Sequence, residues 1–479
     1  MKMPNKKILA VAVASAFAGA ASAATITIPN TTAATPAYAS QIAPGTGVAL
    51  TNVNQIVGLT GWGWSSGTAV FIRYDLSSGK FTANPAAMQL GIAGSNTVNA
   101  NATSTLSAGG AGAANAIYQI TSSDSNSTTA GSNAMLTLAG VTATSTAGDI
   151  TITQNIYDTA SNAVAGGTTG RLASAKTGTI ISFTSAYSVT GTAGTAQTAD
   201  VLATLGSYKQ FVSGANTVPL GQIVIANAGS ANTAAGAAAE ANEVLGTGTR
   251  ITVTGDFTAA ANANGTYTGA ALSRVFLSNT NCAGTFNIVA NELSATTAVV
   301  PTAGSVTNPT SGVTSGNSVL CFTAAGNSAI PVASYTAVFT PIARTTAYAV
   351  SPTSSMAVGS IIRNGGQLIS PWFTLASGWI SRWVLTNSSS TPATYAVVVS
   401  GEAGNTITAN PAGATGTVPA NGMVVINASD IVTSVSGNTR AQVTFTFAAA
   451  RSTIDAIYQT VNAATGSISS QTMVAPGTN

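Results

Sequence analysis

Apolar and polar residues alternate with a period of two along much of this chain. The run Ile150-Thr151-Ile152-Thr153 continues the alternation to Tyr157, and Ile181, Phe183, Tyr187 and Val189 repeat it with small polar residues between. Ile251 and Val253 alternate with Thr252 and Thr254; Val443, Phe445 and Phe447 alternate with Gln442, Thr444 and Thr446. Successive strand side chains point to opposite faces, so this pattern predicts sheets with one buried and one wet face. Thr and Val recur because branched side chains suit a pleated surface. Two denser runs, Ala396-Val397-Val398-Val399 and Met423-Val424-Val425-Ile426, predict strands buried on both faces. Gly, Asn, Ser and Pro clusters between the runs mark turns.

One stretch argues for a helix. Thr233 to Leu245 is Ala-rich, carries Glu240 and Glu243, and is followed by Gly246, which can end it. Asp430 to Val435 is a candidate for one further turn. The predicted class is therefore mainly β: a multi-domain β-sandwich (Ig-like) architecture with at most one or two short helices. Four segments are expected: 1–23 as a leader, 24–247 as a Thr/Ala/Gly-rich β domain, 248–349 as a sandwich holding both cysteines, and 350–479 as a C-terminal sandwich.

The leader changes how the composition is read. Lys2, Lys6 and Lys7 precede the apolar run Ile8 to Ala20, and Ala21-Ser22-Ala23 supplies small residues for a signal peptidase, so cleavage before Ala24 is expected. The run is too short to remain as a membrane span, and the mature chain is expected to carry no transmembrane segment of its own. Its three lysines account for the whole excess of 15 basic over 12 acidic residues, so the mature side chains sum to zero. Only 6% of the residues are charged, against roughly 25% in an ordinary soluble domain. A surface so poor in charge puts up little repulsion against its own copies. It also offers no basic stripe to nucleic acid and no polybasic segment to anionic lipid.

Cys282 and Cys321 are the only cysteines. In an exported chain they are expected to pair, closing a loop worth roughly 3–4 kcal/mol on the chain-entropy estimate; two free buried thiols are the alternative. No other soft ligand exists to build a metal site with them. The absence of histidine removes Ser-His-Asp and Cys-His nucleophilic systems, His-based zinc and iron sites, and the commonest general base. The twelve acids are scattered, and only Glu240 and Glu243 are close in sequence, where a solvated helix face explains them. Gly61-Trp62-Gly63 and similar strings are turns in a chain with 49 glycines, not phosphate loops. No enzyme chemistry and no cofactor are expected.

Three features are candidates for function. Trp62 and Trp64 in GWGW, and Trp372, Trp379 and Trp383 in PWFTLASGWISRW, can be sandwich-core residues, subunit contacts or platforms for sugar rings. FIRYDLSSGKF, Phe71 to Phe81, places Arg73 and Asp75 on one face of a strand, where they can pair, and turns at Ser77-Ser78-Gly79. The mature N-terminus, with Thr25, Ile26, Thr27 and Ile28, is a short alternating strand that can donate itself to a neighbour's sheet edge or pair within its own domain.

Two stretches carry a resemblance. TVTGDF (Thr252 to Phe257) with the Cys282…Cys321 pair and IPVASYTAVF (Ile330 to Phe339) is one; ISRWVLTNSSSTPATYAVVVSGEAG (Ile380 to Gly404) with VPANGMVVINASDIV and the closing VNAATGSISSQ is the other. They resemble large secreted surface proteins of Gram-negative proteobacteria, similar in composition to surface-layer (S-layer) subunits, and cover about the last half of the chain. The resemblance implies secretion, β-sandwich domains and residence on the cell surface. Many surface-layer proteins are acidic and hold calcium between domains; this chain has no dense Asp cluster, which speaks against calcium here. Together with the zero mature charge, these features lead to one expectation: a self-assembling structural protein of the bacterial surface, its main partner further copies of itself. The alternative is an adhesin or glycan-binding module that uses the tryptophans against outer-membrane surface glycans. An outer-membrane barrel, suggested by a mean hydropathy of +0.34, is disfavoured because the aromatic residues are too sparse for two girdles. A secreted hydrolase would have to work with two carboxylates alone.

Overall fold

The structure is a computed structural model that describes residues 26–27, 35–49, 55–59, 67, 69–86, 89–91, 102–122, 133–138, 140–143, 148–201, 208–279, 281–283, 287–302, 316–403, 405–436 and 439–475. The leader at 1–23, Thr25, Ile28, Trp62 and Trp64 lie outside the described residues.

The fold is mainly β, arranged as sandwich-like layers. A six-stranded sheet runs in the order Ala37–Ala39, Lys176–Thr184, Ile150–Tyr157, Ala69–Leu76, Asn115–Ser122, Ala102–Gly109. A five-stranded sheet, ordered Tyr187–Ala193, Thr217–Asn227, Gly316–Thr323, Val275–Ser278, Asn287–Val289, faces a second six-stranded sheet. That partner contains Gln197–Ala199, Met356–Arg363, Ala333–Thr340, Arg250–Thr254, Thr297–Pro301 and Glu292–Leu293. Aromatic rings bridge the two layers: Phe322 of one lies 6.2 Å from Tyr335 of the other, and Tyr187 lies 6.2 Å from Phe339. Tyr187–Ala193 and Thr217–Asn227, which precede residue 248, thus share these layers with 250–363. One continuous buried cluster extends from Tyr38 to Ile361.

A second buried cluster begins at Leu368 and ends at Met473. Its sandwich has two four-stranded sheets. The first is ordered Gly366–Thr374, Arg440–Phe447, Ala393–Gly401, Thr415–Val418; the second is Gly422–Asn427, Trp379–Asn387, Ile454–Asn462, Ile468–Thr472. The turn through Gly378 (φ +83°) carries the chain from the first sheet to the second, a conformation that suits a residue without Cβ. Val443, Phe445 and Phe447 point into this core while Gln442 and Thr444 face outward, as their alternation predicts.

Helices are few and short, and one expectation for them is corrected. Of Thr233–Leu245 only Ala241–Val244 is helical. The preceding residues turn around Gly236 (φ +85°), and Asn232 is held in a ladder, accepting from the Ala39 amide at 2.9 Å and donating to the Ala37 carbonyl at 2.8 Å. Alanine's helix preference, a few tenths of a kcal/mol per residue, yields to tertiary hydrogen bonds that need an extended segment there. The turn expected from Asp430 lies slightly earlier, at Ala428–Ile431, where the Asp430 carboxylate accepts from the Asn427 amide at 2.9 Å. A third turn, Ala160–Ala165, follows its Thr159 cap directly after a strand, with no apolar periodicity to announce it.

The denser apolar runs also depart from expectation. Val398, Met423 and Val425 are all exposed, so neither run is buried on both faces. Both strands keep a strict in-and-out alternation; the outward positions simply hold apolar residues.

Candidate functional site

The two sheets of the C-terminal sandwich present unlike outer faces. On the first sheet the row Gln367, Thr446, Ala396 and Thr415 is matched across four strands, with Thr446 itself buried and accepting from Gln367 Nε2 at 3.1 Å, beside Thr444 opposite Val398 and Gln442 opposite Ser400. This face is largely hydroxyl and amide. On the second sheet, Val425, Val384 and Ile457 stand in one cross-strand row, and Ile380, Val461 and Ile468 in another. Between them runs Arg382, Gln459 and Ser470, where the Arg382 Nε donates to Gln459 Oε1 at 2.9 Å. Ile380, Met423, Val425 and Ile468 are 44–57% exposed. The outermost strand, Ile468–Thr472, is exposed at every position and pairs on one side with Ile454–Asn462.

The tryptophans of PWFTLASGWISRW divide. Trp383 is fully buried, with ring centroids 5.0 Å from Phe373, 5.6 Å from Phe445 and 5.9 Å from Tyr458. Trp379 is exposed at the start of its strand. Trp372 lies on a β-bulge: Pro371 and Trp372 together oppose the single residue Gln442, with regular pairing resuming at Ser370–Val443 and Phe373–Ala441. A bulge tolerates proline and re-aims the neighbouring side chain. The Trp372 indole rests edge-on against Tyr458 at 6.0 Å and remains 43% exposed.

Its free side lines a cleft of about 490 Å³ with Ser400, Glu402, Arg440 and Gln442. Arg440 and Glu402 approach to 3.8 Å across it. Neither the Ser400 hydroxyl nor the Gln442 side-chain amide has a hydrogen-bonding partner among the described residues. The cleft therefore combines one apolar ring face with neutral donors and acceptors and a charge pair that sums to zero.

The other candidates resolve as follows. Cys282 and Cys321 form a disulfide that ties an exposed turn to the buried strand Gly316–Thr323. Ile26 and Thr27 pair antiparallel with Gly58 and Val57 of their own chain. Arg73 Nε donates to both Asp75 oxygens at 2.7 and 2.9 Å, and its Nη1 donates to the Ala163 and Val164 carbonyls, each at 2.9 Å. This arginine thus closes the last turn of Ala160–Ala165, a contact between distant segments that sequence spacing gave no means to find. Glu243 pairs with Arg344 at 3.4 Å on the surface. Among the described residues, no three His, Cys, Asp or Glu side chains gather where a metal ion could be held, and no helix is long and apolar enough to cross a membrane.

These features define a mainly β protein of sandwich units whose notable surfaces are an apolar sheet face and an aromatic cleft. No known protein family and no curated protein matches the sequence. Among solved structures, the C-terminal domain of the Streptococcus agalactiae AgI/II polypeptide BspA aligns at 10% identity, covering 70% of this chain and 99% of that one, with a TM-score of 0.22. BcpA, the major pilin subunit of Bacillus cereus, aligns at 9% identity over 85% of this chain and 96% of its own, with a TM-score of 0.19. At such scores neither likeness carries weight, and the functional reading rests on the chain's own residues.

Proposed function

We propose that this chain is an exported structural protein that assembles with its own copies on the bacterial cell surface. One observation carries the reading: the outer face of the C-terminal sheet holds two apolar cross-strand rows, Val425–Val384–Ile457 and Ile380–Val461–Ile468, where a solitary domain would place polar residues. The strand Ile468–Thr472 is the edge of that sheet, exposed and with no second strand partner among the described residues. A second copy is the fitting occupant because the mature side chains sum to zero charge and so oppose no approach of like to like.

The test is negative-stain electron microscopy of the purified mature chain, Ala24 to Asn479, over a rising concentration series, with and without calcium. Sheets or fibres of uniform repeat support the reading. Dispersed monomers at every concentration overturn it.

A further inference from the structure

The Trp372 cleft points to a ligand of its own, independent of any assembly. We infer that it is a binding site for a neutral saccharide, a pyranose unit or short oligosaccharide whose C–H face stacks on the Trp372 indole. A sugar ring has an apolar face and a rim of hydroxyls, each of which both donates and accepts. The cleft matches that pattern. The indole is the apolar platform, held in place by its edge contact with Tyr458 and by the bulge that aims it outward. Around it, the Ser400 hydroxyl and the Gln442 amide have no partner among the described residues, and Glu402 and Arg440 supply an acceptor and a set of donors for vicinal hydroxyls. The volume of about 490 Å³ lies in the range of small-ligand sites, which run from roughly 300 to 1,000 Å³. A charged ligand is disfavoured because Glu402 and Arg440 cancel, so either sign of charge would meet a repulsive partner as near as an attractive one.

Trp372 differs in this respect from the other described tryptophans. Trp383 has no exposed surface, and Trp379, though exposed, does not line the cleft. The bulge accounts for the difference: without the extra residue opposite Gln442, position 372 would continue the regular in-and-out alternation of its strand.

The experiment is isothermal titration calorimetry of the mature chain against soluble trisaccharides of glucose, galactose, mannose and N-acetylglucosamine, taken into the millimolar range, with trigalacturonic acid as a charged counterpart. Saturable binding of at least one neutral trisaccharide is expected. Trp372→Ala should weaken that binding by about tenfold or more, and Trp372→Phe should recover part of it. Gln442→Ala, on the outer face and away from the core, should weaken it severalfold and serves as the check if Trp372→Ala fails to fold. Trp379→Ala should bind as the parent does. The inference is overturned if no neutral trisaccharide binds, if only the acidic one does, or if both Trp372→Ala and Gln442→Ala bind undiminished.

Discussion

Trp383 meets Phe373 edge to face with ring centroids 5.0 Å apart, and this pair joins the two sheets of the C-terminal sandwich. Phe373 belongs to the first sheet, Trp383 to the second, and the turn through Gly378 joins their strands. The indole Nε1 is buried without a hydrogen-bond partner. Trp383→Ala should therefore cost about 3–5 kcal/mol through the cavity it leaves. Trp383→Phe should cost clearly less, because it removes the unpaired N–H together with part of the ring. Urea unfolding followed by circular dichroism measures both; equal losses would show that the orphaned N–H is of no consequence.

The disulfide offers a second handle. Cys282 and Cys321 are 39 residues apart, a loop for which the chain-entropy estimate gives about 4 kcal/mol. Reduction should lower the stability of the 38–361 core by about that amount and leave the 368–473 sandwich at its original midpoint. Two transitions in a denaturant titration, only one of them sensitive to dithiothreitol, would bear this out.

Stability should fall at alkaline pH. Burial pushes the phenols of Tyr118 and Tyr187 up to about 12 and raises those of Tyr74 and Tyr335 as well. The unfolded chain releases these protons near pH 10. The stabilisation is fully present below that value and is lost progressively as the pH rises from about 10 toward 12. With no histidine in the chain, the profile between roughly pH 6 and 9 should be nearly flat. Melting temperatures across the whole range test both parts; a midpoint unchanged at pH 11 would contradict the first.

Arg73 is mostly buried and makes four hydrogen bonds of 2.7 to 2.9 Å to Asp75, Ala163 and Val164. A lysine keeps the charge but cannot fork between a carboxylate and two carbonyls. Arg73→Lys should destabilise by about 1–2 kcal/mol, and hydrogen exchange should rise first in 160–165, whose last carbonyls lose their donor. Uniform exchange across the first six-stranded sheet would count against this.

The apolar sheet face predicts a separation of stability from association. Val425→Lys and Ile468→Lys alter exposed positions, so the melting temperature of the monomer should move little, within about 0.5 kcal/mol of stability. The concentration needed for ordered assembly should rise about tenfold or more. Light scattering against concentration reads this directly, and unchanged assembly in both variants would remove that face from the contact.

Much of the architecture was legible in the alternation of residues. Ile150–Tyr157, Arg250–Thr254 and Arg440–Phe447 are strands whose buried and open faces follow the period of two. What the pattern could not distinguish was an apolar residue turned inward from one turned outward. Met423 and Val425 look like core in the sequence because hydropathy registers chemistry and not direction. The Ala-rich 233–240 segment misled for a related reason: its helix preference is local, whereas Asn232 is fixed by Ala37 and Ala39, some two hundred residues away. The cleft at Trp372 was half visible. The tryptophan stood out, but Ser400, Glu402, Arg440 and Gln442 come to it only because Ala393–Gly401 and Arg440–Phe447 are neighbours in the sheet.

The parallel pairings set an order of events for the chain. Ala37–Ala39 runs parallel to Ser182–Thr184, and Gln197–Ala199 runs parallel to Ile361–Arg363. A chain emerging from its N-terminus must therefore expose some 160 further residues before the second of these seams can close. Long-range closure of this kind is slow. The protein's own topology thus acts as a timer, holding the large core open until the sequence up to Arg363 has been delivered.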